Sequence, residues 1–293
     1  MTALPQPRTR LISWEPRGAA PILAATLAAA ILFALPATTL ARDWWNDSEA
    51  GHGLLLAPLA LWLAWRSGLS PARVPNVGVG TAILLAAVFL RYLGGVAAEL
   101  FTLRFSMMLA LAGLTVFAWG LPQLRRWWLP FALLLLSIPV PALVTNALAL
   151  PLQFKASSMG ATLLAWRDVP VRLSGNVILL PGRQLFVTEA CSGLRSLAAL
   201  VSLGVLVGGL WLRTPLARLI VLGLTIPVAI LVNAVRVFLT GFLVYFVDPK
   251  LGEGFLHLTE GWLLFVVAFV VLGGVAWVAS LVEGRLSGRV LDA

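Results

Sequence analysis

The chain is a succession of apolar runs, most of them long enough to cross a bilayer. A span needs about 20 apolar residues at 1.5 Å rise per residue, and candidate runs lie at roughly 19 to 41, 53 to 66, 78 to 98, 103 to 120, 127 to 148, 190 to 211, 216 to 246 and 258 to 282. Composition agrees, with 60% of the 293 residues hydrophobic and 11% charged, far from a soluble average. Soluble globular, collagenous and disulfide-stapled classes are excluded, since the one cysteine, Cys191, can form no internal bridge. The expected fold is an all-α polytopic membrane protein with about eight transmembrane helices, a single integral membrane domain over 1–293. The second run is short. In the fifth, Ser137-Ile138-Pro139-Val140-Pro141 should kink or break the helix, because proline lacks an N–H and clashes with the preceding turn. The first run follows Arg8, Arg10 and Arg17, but its apolar core exceeds the roughly 7 to 15 residues of a signal peptide, so it reads as a retained span.

Charge sorts by loop. Arg8, Arg10 and Arg17, then Arg66 and Arg73, Arg125 and Arg126, Arg213 and Arg218, and Arg285 and Arg289 all fall on one side of an eight-span arrangement. By the positive-inside bias that side is cytoplasmic. The opposite loops carry Asp43, Asp47 and Glu49, then Glu99, then Asp248, Lys250 and Glu253. Both termini are therefore expected inside. The net charge of +9 does not signal a nucleic-acid partner, because the Arg residues are spread between apolar runs rather than gathered on one face. The partner they imply is the lipid bilayer.

Residues 150–189 form the one long segment expected outside the bilayer. It begins with Leu150-Pro151-Leu152-Gln153-Phe154-Lys155-Ala156, a helix-like piece suited to the interface. Short β-branched runs divided by Gly and Pro follow, at 169–173, 176–180 and 184–188, which predict an extracytoplasmic β-hairpin or three-stranded cap. It leads directly into Glu189-Ala190-Cys191.

Ionisable groups at span level are functional candidates by default, and three converge in depth. Cys191 lies about 33 Å of helix from the inner Arg213, and Arg236 about 27 Å from the inner Arg218. His257 opens the last run from the outer loop, about one turn higher. A lone membrane cysteine is most often a small buried hydrophobe. Here Thr188 can cap the helix that follows, so that the dipole of its first turn favours a thiolate, and Arg195 shares the helical face of Cys191. A snorkelling role for Arg236 is the ordinary alternative, yet Asn233 one turn earlier argues for an inward polar face. Glu260, three residues after His257, is placed to hold its ring. His52 in Gly51-His52-Gly53 is a reserve candidate on the same outer face.

Cys, His and Arg suffice for acyl transfer: a thiolate attacks a carbonyl, an imidazole shuttles the proton, and a guanidinium donates to the developing oxyanion. Two His, one Cys and no close carboxylate cluster make neither a zinc nor a di-iron ligand set. No phosphate-binding glycine motif occurs, so neither metal nor cofactor is expected. The competing classes are a secondary transporter, which usually carries midplane carboxylates or repeat symmetry, and a non-enzymatic membrane scaffold. Neither acidic midplane residue nor repeat is visible.

The ordered blocks Thr188-Glu189-Ala190-Cys191-Ser192-Gly193-Leu194-Arg195-Ser196, Asn233-Ala234-Val235-Arg236-Val237 and His257 with Gly261 resemble the exosortase/archaeosortase family of membrane cysteine transpeptidases. Trp44-Trp45-Asn46-Asp47, Gly51-His52-Gly53 and Pro58 look like that family's first outer loop and second span. The resemblance covers most of the chain. It implies cleavage, in the bacterial inner membrane and at its extracytoplasmic face, of secreted proteins ending in a Pro-Glu-Pro-like tripeptide, a hydrophobic helix and an Arg-rich tail. It further implies Cys191 as nucleophile, Arg236 as oxyanion or substrate-orienting group and His257 as proton shuttle. Arg195 is a candidate partner for the substrate glutamate, or equally an ion pair with Glu189, and Asn233 joins it as a candidate substrate contact.

Overall fold

The computed structural model describes residues 16–47, 50–187, 194–248 and 254–291. Its helices are α1 (Pro16–Asn46), α2 (Gly53–Ser67), α3 (Val77–Val96), α4 (Leu100–Trp119), α5 (Leu121–Arg126), α6 (Trp128–Leu136), α7 (Ala142–Ala165), α8 (Leu194–Trp211), α9 (Pro215–Phe246) and α10 (Gly254–Leu291). Three strands, β1 (Arg172–Ser174), β2 (Val177–Leu180) and β3 (Arg183–Phe186), lie between α7 and α8. Among the described residues, five segments are long and apolar enough to cross a membrane: Ala20–Asn46 in α1, all of α3, α4 and α9, and Val266–Arg285 in α10. Gly53–Ser67 and Leu197–Trp211 are shorter apolar helices. The protein is thus a mostly helical membrane protein with a small sheet. The fifth apolar run is divided as its prolines require: α6 stops at Leu136 and α7 restarts after Pro141.

The described chain forms two compact units, Met1–Arg42 with Ser67–Trp127, and Asp43–Arg66 with Trp128–Ala293. In the first unit α3 and α4 are an antiparallel pair whose close approach depends on glycine. A Cβ on Gly80 would sit 2.5 Å from the Phe117 backbone, and one on Gly94 3.0 Å from Leu103 N. Phe33 of α1 joins Ala87 and Ala110 in the core of this unit. The Glu99 carboxylate caps α4 by accepting from the N–H groups of Phe101 at 3.0 Å and Thr102 at 2.6 Å. Burial pushes this carboxyl up, but the Thr102 and Phe101 hydrogen bonds and the Arg104 charge outweigh it and hold it below its ordinary value. At the other end, buried Gln123 accepts from Ser70 N at 2.7 Å and donates to Gly68 O at 3.3 Å, while Arg126 Nε donates to Ser67 O at 2.8 Å. The basic loop after α2 is thereby tied to the basic helix α5.

The second unit is built on α8, α9 and α10. One layer of its core is Val207, Leu212, Val221, Leu272 and Ala276; the next is Leu200, Ala229 and Ala268. Close packing again needs a glycine, since a Cβ on Gly204 would lie 2.6 Å from Thr225 Cγ2. Helix α7 runs parallel to the second half of α9, with Gly160 against Val237 and Leu164 against Gly241. The helix-like piece expected at Leu150–Ala156 is helical. That stretch is the middle of one continuous helix with Pro151 inside it. The sheet is an antiparallel meander of order β1-β2-β3. Ile178 and Leu180 of β2 turn onto Ala156, Ala161 and Leu164 of α7 and Val237 and Val244 of α9, in one core cluster that also holds Val169 and Val187.

Candidate active site

Two of the candidate residues, Asn233 and Arg236, have described side chains, on the stretch of α9 that leads to Val237 in the core beneath the sheet. On α9, Asn233 is buried at 6% exposure, and Arg236, nearly one turn on, is half-buried with its Nε shut off from solvent. Asn233 is the polar end of an apolar crevice lined by Leu152 and Ala156 of α7, Leu197 of α8, and Ile226, Ala229 and Ile230 of α9. The inward polar face expected from Asn233 is therefore present on α9.

Helical rise relates the three helices. Leu200, Ala229 and Ala268 pack at one level. From that level, Arg236 lies about 10 Å along α9, Arg195 about 7 Å back along α8, and His257 about 16 Å back along α10. Because α8 and α10 both run opposite to α9, all three positions fall at the same end of the bundle, with His257 the outermost. Arg195 and His257 belong to described helices, but their side chains lie outside the described residues. Cys191 and Glu189 also lie outside the described residues, as does the side chain of Glu260.

The segment bearing Cys191 is bounded on both sides by described chain. Val187, 1% exposed, belongs to the same cluster as Val237, the residue next to Arg236.

Val187 is held by polar groups that sequence reasoning did not single out. Its N–H donates to Asn176 O at 3.0 Å, and its carbonyl accepts from Asn176 Nδ2 at 3.1 Å. Asn176 Nδ2 also donates to Gln153 Oε1 at 3.3 Å, from a glutamine that is 5% exposed on α7. The available signal was the Gly175-Asn176 turn, which marks a reversal but not what the Asn side chain reaches.

His52 is used differently from the candidates above. Its ring Nε2 donates to Leu136 O at 3.2 Å, and Trp44 Nε1 donates to Ser137 O at 2.8 Å. These are carbonyls at the break between α6 and α7, where the helix ladder is interrupted and Pro139 and Pro141 offer no N–H. Trp44 also packs on Gly53, where a Cβ would fall 2.1 Å from its Nε1. Among the described residues, no group of three His, Cys, Asp or Glu could hold a metal ion.

The family model of the transmembrane exosortases matches residues 44–274. No curated protein and no solved structure matches the chain. The match runs from Trp44 through the α6–α7 break, the sheet and the α8–α9–α10 bundle. The chain belongs to the transmembrane exosortase family.

Proposed function

We propose that this protein is a membrane cysteine peptidase of the transpeptidase kind. On this reading it removes C-terminal sorting signals, a Pro-Glu-Pro-like tripeptide followed by one hydrophobic helix and an Arg-rich tail, from secreted proteins. The observation that carries the reading is the junction of family membership with the local geometry. The segment bearing the sole cysteine leaves Val187, which packs with the neighbour of Arg236. A substrate helix anchored inside by its basic tail would hold its tripeptide at the outer hydrocarbon border, the depth that helical rise assigns to Arg236.

In the reaction His257 takes the thiol proton of Cys191. The thiolate attacks the scissile carbonyl, forming a C–S bond, and Arg236 donates hydrogen bonds to the oxyanion of the tetrahedral intermediate. Collapse breaks the C–N bond, the leaving amine takes the proton from His257, and a thioester remains. An amine or water then attacks the thioester and releases Cys191. Arg195 and Asn233 contact the substrate, Arg195 facing its glutamate. The protein sits in the bacterial inner membrane with both termini cytoplasmic and the site on the extracytoplasmic face.

The test is co-expression with a reporter ending in tripeptide, helix and Arg-rich tail, followed by its conversion on gels. Cys191→Ala and Cys191→Ser should insert normally and process none of it. Near-normal processing by Cys191→Ala would remove the nucleophile assignment, whereas a transporter or scaffold would leave the reporter unprocessed even as wild type.

A further inference from the structure

We propose that Asn176 and Gln153 are positioning residues that set the reactivity of Cys191 by fixing the peptide from which its segment departs. This rests on the reading of Cys191 as nucleophile. In the β2–β3 ladder the last strand pair is Val177 with Phe186. The next pair, Asn176 with Val187, falls at a turn where Gly175 adopts φ +63. There the N–H of Val187 is still received by the Asn176 carbonyl at 3.0 Å. The return bond comes from the side-chain amide, Nδ2 to Val187 O at 3.1 Å, so a side chain extends the ladder by one residue past the turn.

The same amide is shared with Gln153 Oε1 at 3.3 Å. Gln153 is buried on α7, and its own backbone carbonyl accepts from Ser157 Oγ at 2.8 Å. Both polar groups of Val187 are thus committed to one residue, which is itself anchored to a helix packed on α9. An apolar side chain at 176 would leave Val187 held on its N–H alone. The amide plane of Val187 could then rotate, and every atom after it would move. A displacement of about 1 Å at a reacting group costs on the order of a hundredfold in rate.

Asn176→Ala and Gln153→Leu are compared with wild type in intact membranes, by reporter processing and by the pH dependence of Cys191 alkylation with a small thiol reagent. Cys191 is the sole cysteine, so labelling reads that site directly. The expected result is kcat lowered roughly tenfold to a hundredfold with KM within about twofold, together with a displaced alkylation–pH profile, the effect of Asn176→Ala being the larger. Wild-type rates would overturn the proposal. So would a loss of processing that only tracks the loss of inserted protein while the alkylation profile stays at its wild-type position, because a purely structural role has that signature. If Cys191→Ala processed the reporter, the nucleophile reading would fall by itself, and the alkylation profile of Asn176→Ala would still decide whether the clamp governs the thiol.

Discussion

Arg236 carries a fixed charge on an otherwise apolar stretch of α9, in half-buried surroundings that also contain buried Asn233. A snorkelling arginine needs only a positive head near the headgroups and would accept lysine. A planar fork that donates two hydrogen bonds to an oxyanion or carboxylate would not, since an ammonium is a point charge. Arg236→Lys is therefore expected to lose about a hundredfold or more in processing rate, nearly as much as Arg236→Ala, with both variants inserted at wild-type levels. Full activity in Arg236→Lys, measured with the same reporter, would return the residue to a headgroup anchor. The inward face of this position was legible because Asn233 lies almost one turn away on the same helix. The role of His52 was not legible. Its partner is the carbonyl of Leu136, distant in sequence, and a histidine beside two glycines looks the same whether it serves chemistry or a broken helix.

At the scale of elements, the position of Arg236 depends on how closely α7 lies against α9. A Cβ at Gly160 would meet Val237 Cγ1 at 2.4 Å and Val237 Cβ at 2.9 Å, and a β-branched side chain has little freedom to retreat. Gly160→Leu should therefore force α7 away from α9, cost about 1 to 3 kcal/mol or more in overpacking, and lower both the melting temperature in detergent and processing. Gly223 lies on the same helix α9, and a Cβ there would meet nothing within 4 Å. Gly223→Ala should thus be neutral or stabilising by up to ~1 kcal/mol. Equal melting temperatures for Gly160→Leu and wild type would show that the contact is not tight in the membrane. The break at Pro139 and Pro141 was visible in the sequence because proline acts locally. The continuity of α7 through Pro151 was hidden, since it is set by packing on α9 and by the sheet that covers Ala156, Ala161 and Leu164. The three-stranded meander was legible from β-branched runs separated by Gly and Pro, whereas the Asn176 amide that extends it depends on a contact across to α7.

At the scale of the whole molecule, the charge pattern of the loops sets a direction for the chain across the bilayer. Within each unit, basic loops distant in sequence are drawn together: Arg126 reaches Ser67 O in one, and in the other Arg218 donates to Leu212 O at 2.9 Å and stacks on Trp128. In that second unit Glu283 receives the N–H groups of Arg213 and Thr214, each at 2.9 Å, so the α8–α9 turn and the end of α10 share one level. The sheet lies at the other end of this unit, against Val237 and Val244. If the basic end is cytoplasmic, the sheet and the candidate site are extracytoplasmic, where a secreted substrate can reach them. In a Cys191→Ala background, Ser174→Cys probes the exposed β1 and Leu121→Cys the exposed start of α5, and neither substitution alters the charges that set orientation. A membrane-impermeant thiol reagent applied to spheroplasts should label Ser174→Cys and spare Leu121→Cys until the membrane is permeabilised. The reverse pattern would place the site in the cytoplasm and leave the secreted-substrate reading without a route to its substrate.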